Sequence, residues 1–337
     1  MKHLILAACF GMAITAAYAA SDDIKIWEPA GTATPAQEAA NTRVLAAWFK
    51  DAGHRHWAKY MIPSFLNHDP NEPHYGAQAL VDLMHRNASR GGTRPTPAAS
   101  PTTPVLDRGM PVKFFVIADG DYVFVAHNPM GYDINNPPPG KDIGASVGGN
   151  LNRMKNGKIT DWWYFRGVSH PATDQPGADQ IDITKNSTRR GDVGGMSLIY
   201  SSGPTNKMAE AANKQLVLAW LKDFWVDQNY DGWAHYMAPD FRNHDTREPA
   251  QGAQALADWL KSHPDFVSDY AISKGVAHPQ IFLLAQGDLV FVGGAPNITD
   301  HYDPAAQQWQ YGGNIIRIAN GKIAEWWRVG DEKSTPQ

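Results

Sequence analysis

An α+β fold is predicted for this chain: two tandem cone-shaped α+β barrel domains, each with N-terminal helices packed on a curved antiparallel sheet. Three observations predict it. First, A-N-T-R-V-L-A-A-W-F-K-D and W-A-K-Y-M-I-P-S-F-L-N-H-D, within residues 40–69, return as A-N-K-Q-L-V-L-A-W-L-K-D and W-A-H-Y-M-A-P-D-F-R-N-H-D, within residues 212–245. Second, G-G-N-L-N-R-M-K-N-G-K-I-T-D-W-W at 148–163 returns as G-G-N-I-I-R-I-A-N-G-K-I-A-E-W-W at 312–327. A period of about 170 residues is too long for a solenoid unit and fits two copies of one whole domain. Third, each copy runs from helix-spaced apolar residues into alternating apolar strands, which places helices on one face of a sheet.

The first helix is expected over Asn41–Asp51, where Val44, Leu45, Trp48 and Phe49 recur at helical spacing. A short second helix is expected over His54–Met61, ended by Pro63, and a third over Ala77–His85 after Gly76. Residues 90–104, rich in Pro, Thr, Ser and Gly, read as irregular. Strands follow at 113–117 and 121–126, joined at Asp119-Gly120, and at 149–154 and 159–165, joined at Asn156-Gly157. Asn-Gly suits a two-residue hairpin turn because both positions need a positive φ. The second copy repeats this order, with helices near 207–223, 229–237 and 252–261. Its strands fall near 280–285, 288–293, 312–318 and 322–329, the last two joined at Asn320-Gly321. The chain then divides into a signal at 1–20, a leader at 21–36, a first domain at 37–168, a linker at 169–204, a second domain at 205–332 and a tail at 333–337.

Lys2, the apolar run Leu4–Ala17 and Ala17-Tyr18-Ala19 have the order of a secretory signal, with cleavage near Ala19/Ala20. Leu6-Ala7-Ala8-Cys9 also resembles a lipobox, with few apolar residues before the cysteine. The expected location is periplasmic or secreted. Cys9 is the only cysteine, so a processed chain has no disulfide, thiolate nucleophile or cysteine-based metal site. With 43% hydrophobic residues and 12 tryptophans, the chain can build two ordinary cores. A formal net charge of -4 argues against a nucleic-acid partner, and no later segment is long and apolar enough to span a membrane.

F-L-N-H-D-P-x-x-P-x-x-G at 65–76, F-R-N-H-D at 241–245 with Gly252, the strand pairs D-G-D-Y-V-F-V-A-H and Q-G-D-L-V-F-V-G-G, and R-x-x-N-G-K-I-x-[DE]-x-W in both copies carry a resemblance. The chain resembles the SnoaL-like branch of the nuclear transport factor 2-like superfamily over most of both domains, outside the linker and 87–110. The resemblance implies a cone with an interior pocket in each half. It also implies sheet-to-sheet pairing of the halves as an internal pseudodimer, with a homo-oligomer left open. It leaves the reaction open, because that superfamily hosts cyclases, isomerases, epoxide hydrolases, lyases and binding domains. The family's last strand commonly ends H-W-D. Here the tryptophans align as Trp162-Trp163-Tyr164 and Trp326-Trp327-Arg328, so the acid and base positions become Trp162/Tyr164 and Trp326/Arg328.

His68 and His244 share the N-H-D context. The resemblance puts this histidine at the pocket mouth, where it would serve as general acid or base; the alternative is a histidine fixing the loop by a backbone hydrogen bond. Asp69 and Asp245 would orient the imidazoles or form Asx turns. His127 ends a buried-looking strand of the first copy only, opposite Gly294 in the second, and with Tyr132 and Tyr164 would make a proton-transfer set; a solvent-facing strand end is the alternative. The second copy offers Arg328, for a carboxylate or an enolate-like oxygen, with His301 and Tyr302. Trp57/Trp233, Tyr60/Tyr236 and Trp162/Trp326 would line aromatic pockets or serve as core. Asp161 and Glu325 alternate onto the Trp163 and Trp327 face and read as outward or structural.

No H-E-x-x-H, no H-x-H strand pair, no G-x-S-x-G and no P-loop is present, so neither a metal nor a cofactor is expected. The leading expectation is a cofactor-independent acid/base enzyme, a lyase or isomerase of aldol type or related, acting on a small hydrophobic organic molecule. In it His68 moves a proton and Tyr164 or His127 polarises an oxygen. The rival is an exported small-molecule-binding or interaction protein without turnover. In a third reading the second domain is purely structural.

Overall fold

The structure, a computed structural model, describes residues 24–26, 33–50, 56–68, 76–82, 113–127, 143–144, 148–165, 169–170, 191–193, 196–200, 205–227, 229–243, 252–263, 280–295 and 312–330. In chain order, the first half contains β1 (Lys25–Ile26), α1 (Pro35–Lys50), β2 (Met61–Asn67), α2 (residues 77–82), β3 (Lys113–Asp119), β4 (Tyr122–His127), β5 (Ile143–Gly144), β6 (Gly148–Lys155) and β7 (Lys158–Phe165). Next come β8 (Ser169–His170), β9 (Gly191–Val193) and β10 (Met196–Tyr200). The second half contains α3 (Lys207–Leu221), β11 (Met237–Asn243), α4 (Ala253–Ser262), β12 (Gln280–Gln286), β13 (Leu289–Ala295), β14 (Gly312–Ala319) and β15 (Lys322–Gly330).

Among the described residues, one sheet has the order β2-β7-β6-β4-β3-β10-β9 and another the order β1-β12-β13-β14-β15-β11; β5 and β8 pair separately. Five strands correspond one to one: β2, β7, β6, β4 and β3 match β11, β15, β14, β13 and β12. Both final hairpins turn through asparagine and glycine at positive φ, 51° and 70° at Asn156-Gly157 and 53° and 70° at Asn320-Gly321, as the dipeptides predict.

α1 begins six residues before its expected start. Thr34 accepts from the Gln37 amide at 3.3 Å while the Gln37 side chain accepts from the Thr34 amide at 2.9 Å, a reciprocal cap with Pro35 at the first helical position. α3 starts on Asn206, whose side chain accepts from the Met208 and Ala209 amides. Past Leu221 the helix widens into a π-helical stretch, Lys222–Asp227. The expected second helix of each copy is only a 3-10 turn, Trp57–Tyr60 or Tyr230–His235, and the chain then becomes a strand. Pro63 and Pro239 do not stop a helix. Each lies in an edge strand, where the pairing of β2 with β7 shifts between Met61 and Leu66, and that of β11 with β15 between Met237 and Arg242. A proline needs no ladder partner there. Within the segment expected to link the halves, β9 and β10 join the first sheet.

Strand alternation gives each sheet two buried faces. One packs on its own helices: Leu45 and Trp48 of α1 meet Phe65, Val116, Val123, Val125, Ile159 and Trp162, and in the second half Val217 and Trp220 meet Phe241, Leu283, Val290, Ile316 and Trp326. The other faces unite the halves in a single cluster that includes Phe115, Phe124, Trp163, Phe165, Phe282, Phe291 and Trp327. Phe124 stacks on Phe291 with centroids 3.7 Å apart and planes at 9°. No helix among the described residues is long and apolar enough to cross a membrane.

Candidate functional site

The helix-facing side of β7 carries Trp162 and Tyr164, and the same side of β15 carries Trp326 and Arg328. Trp162 donates from Nε1 to Asn150 Oδ1 at 2.6 Å, and Trp326 makes the same bond to Asn314. Asn150 and Asn314 stand opposite Tyr164 and Arg328 in the ladders, so each Trp, Asn and following residue share one face. On this face the first half adds Trp48, 5.0 Å from Trp57 and 5.6 Å from Trp162, with Tyr60 and Tyr164 half-buried at its margin. Tyr164 meets Trp162 edge-on at 6.2 Å. Asn152 is fully buried, and its Oδ1 makes no hydrogen bond among the described residues.

The helix-facing side of the second half is more aromatic. Trp233 follows Asp223 by ten residues, where Trp57 follows Asp51 by six. The longer segment brings Phe224 and Tyr230 inward, so Trp233 touches Phe224 at 5.1 Å, Trp220 at 5.5 Å and Tyr230 at 5.6 Å. Tyr236 packs half-buried against this cluster. Nε1 of Trp220, Nε1 of Trp233 and the Tyr230 hydroxyl are buried donors with no hydrogen bond among the described residues. Burial raises the Tyr230 pKa. Arg328, two residues along β15 from Trp326 and opposite Asn314, is only 5% exposed.

His68 lies elsewhere. It follows edge strand β2, and its amide donates to the Trp162 carbonyl at 2.8 Å. Its ring lies flat on Trp163 at 4.4 Å and 2°, and Nε2 is 3.0 Å from Asp161 Oδ1. Trp163 in turn touches Phe282 of the other half at 4.9 Å. His68 therefore stands over the sheet-to-sheet face of β7, opposite the face that carries Tyr164. The structure does not bring His68 and Tyr164 around one point. Asp161, read from the sequence as outward or structural, is the carboxylate that holds the imidazole. Burial raises the Asp161 pKa, but hydrogen bonds from His68 and Thr160 and the charges of His68 and Arg153 outweigh it, leaving the carboxyl below its ordinary value. At the corresponding place in the second half, Glu325 pairs with Arg317.

Asp69, Tyr132, His244, Asp245, His301 and Tyr302 lie outside the described residues. The backbone of His127 ends β4 opposite Phe114 and Gly148, and its side chain is outside the described set. Among the described residues no group of His, Cys, Asp and Glu is arranged to hold a metal ion. Asn150 and Asn314 were not among the residues expected at a site, although G-G-N is written twice. Nor were Glu38 and Glu210, acidic residues at equal places in the repeated E-A-A-N.

Residues 217–326 match the family model described as SnoaL-like domain. No curated protein matches the chain. Among solved structures, "Structure of TsrD from Streptomyces laurentii" is similar at 16% identity and a TM-score of 0.21, over 35% of this chain and 87% of that one.

Proposed function

We propose that residues 37–168 form a second SnoaL-like cone beside the one matched at 217–326, and that the two cones bind small, largely hydrophobic organic molecules of different polarity. One observation carries this reading: both halves hold the same Trp–Asn hydrogen bond on the cone face, and the next residue on that face is Tyr164 in one and Arg328 in the other. A phenol suits a neutral oxygen, whereas a buried guanidinium suits a carboxylate or an enolate-like oxygen. The indole and phenol donors of Trp220, Trp233 and Tyr230 support an oxygen-bearing aromatic ligand in the second cone. The sheet-to-sheet aromatic cluster supports an internal pseudodimer, and the N-terminal sequence supports export to the periplasm or medium.

The test is binding by the full chain of a panel of aromatic carboxylates and neutral aromatic ketones, read by tryptophan fluorescence and native mass spectrometry. Arg328→Leu should weaken the carboxylates roughly tenfold or more, the loss of one charge-assisted hydrogen bond. Tyr164→Phe should leave them unchanged. Carboxylate binding that ignores Arg328→Leu would remove the assignment.

The His68–Asp161 pair favours a second reading, in which the chain also performs cofactor-independent acid/base chemistry as a lyase or isomerase. A carboxylate-held imidazole is a proton-transfer arrangement. Turnover of β-hydroxy carbonyls, aromatic ketones or epoxides without added cofactor or metal, abolished in His68→Gln, would support it. Turnover equal in His68→Gln would assign the pair to structure alone.

A further inference from the structure

We infer that the two halves exchange their leader strands, so that each sheet is completed by the strand preceding the other half's first helix. β1 precedes α1 of the first half, yet it pairs parallel with β12 of the second, Lys25 opposite Gln280 and Ile26 opposite Ile281. β10 precedes α3 of the second half, yet it pairs parallel with β3 of the first, Ser197 opposite Lys113 and Leu198 opposite Phe114.

The two exchanges keep one register. Ile26 lies twelve residues before Glu38, and Leu198 twelve before Glu210. Their partners agree as well: Phe114 lies six residues before Gly120, and Ile281 six before Gly287. A short edge strand that settled by chance on one sheet would have no reason to recur at the equivalent residue of the other. Register is a property of the repeated unit, so the exchange is written in both copies. Ile24 shows where the first leader gains its burial, since it joins the core of the second half with Val217, Trp220 and Ile281.

The helices that follow stay at home. Glu38 of α1 accepts from the Gly120 amide in its own half, and Glu210 of α3 accepts from the Gly287 amide in its own, each at 2.9 Å. Each leader thus crosses over while its helix does not. The crossing is fastened by further bonds between halves. Asp119 accepts from the Ala285 amide at 2.9 Å, and Gln286, its counterpart, accepts from the Ala118 amide at 3.0 Å. Lys207 joins Glu38 at 2.6 Å to Glu210 at 3.0 Å, and Lys214 pairs with Asp119. Without the leaders, β3 and β12 would each present an open edge of unpaired backbone groups. Nothing in this arrangement depends on what the cones bind.

The test uses the full chain with Cys9→Ser, which removes its only cysteine. Lys25→Cys/Gln280→Cys places two thiols on directly paired backbone positions, within reach of a disulfide. Lys25→Cys/Lys113→Cys is the pair for a leader that stays in its own half. Mild oxidation should join 25 to 280 within one chain and leave 25 and 113 unlinked. In addition, Ile24→Asp should speed amide hydrogen exchange over 280–286 roughly tenfold or more before it affects 113–119. A 25–113 link, a 25–280 link formed between two chains, or Ile24→Asp exposing 113–119 first would overturn the exchange. So would the absence of both a 25–280 link and any change over 280–286.

Discussion

Phe124→Ala is the most direct test of how the halves hold together. Phe124 is fully buried, stacks on Phe291 and meets Phe165 edge-on at 5.7 Å. Its truncation removes a core ring and leaves a cavity between sheets, a loss of about 3–5 kcal/mol. That is a large fraction of the roughly 5–15 kcal/mol that holds a domain folded. Phe291→Ala should cost a similar amount. The two rings share one stack, so the double variant should cost about 1 kcal/mol less than the two single losses together. Urea unfolding followed by tryptophan fluorescence gives the three losses, and amide exchange resolved by strand shows where they fall. Protection should drop over 289–295 in the second half as well as 122–127 in the first. A Phe124→Ala loss below about 1 kcal/mol with 289–295 untouched, or additivity within about 0.5 kcal/mol, would refute the packing argument.

Other perturbations reach different parts of the same frame. An added Cβ at Gly313 would collide with the Val292 carbonyl and come within 2.7 Å of the Gly293 Cα, both backbone atoms. Gly313→Ala should therefore cost about 1–3 kcal/mol in a urea titration, and a neutral result would contradict the close approach of β13 and β14. Burial opposes the charge on Lys207, but hydrogen bonds to Glu38 and Glu210 and the field of Asp119 outweigh it and raise its pKa. A raised lysine pKa stabilises below the unfolded value, about 10.4, and that stability is lost as pH rises through the folded value. The raised Tyr230 acts in the same direction from about pH 10 upward. Thermal melts should weaken on this alkaline limb, less steeply in Lys207→Gln. The lowered Asp161 works at the other end: its contribution is present above the unfolded value of about 3.9 and is lost as pH falls through the lower folded value. Asp161→Asn should flatten that part of the acid limb, and an unchanged acid profile would remove the His68 pair from the stability of the sheet edge.

What was legible in the sequence followed from local chemistry. Asn156-Gly157 and Asn320-Gly321 announced their turns because few other residues accept two successive positive φ values. The strands around them fell within a few residues of their places because alternation records which face is buried. Pro63 misled because a proline that ends a helix and one that sits in an irregular edge strand look alike from neighbouring residues alone. Thr34-Pro35-Ala36-Gln37 was readable as a reciprocal cap, and missing it shortened α1. His68 and Asp161 are a different case. They are 93 residues apart, and only the pairing of β2 with β7 brings them together. Alternation put Asp161 on the correct face, but no periodicity names its partner. The crossing of β1 and β10 was hidden for the same reason: two paired residues in β1 carry too little pattern to say which sheet they join.

The pairing of β1 with β12 also sets an order of events on the ribosome. Ile26 emerges roughly 250 residues before Ile281, which at about 5–20 residues per second is a wait of roughly 13–50 s. During that interval α1 and the strands of the first half can collapse, but the edge that the first leader pairs with, β12, does not yet exist. The sheet of the first half stays open in turn until residues 196–200 have been made. The first leader's native pairing is therefore completed only after β12 has been made. A nascent molecule stalled between the two copies would carry, near its front, a strand whose partner has not been made.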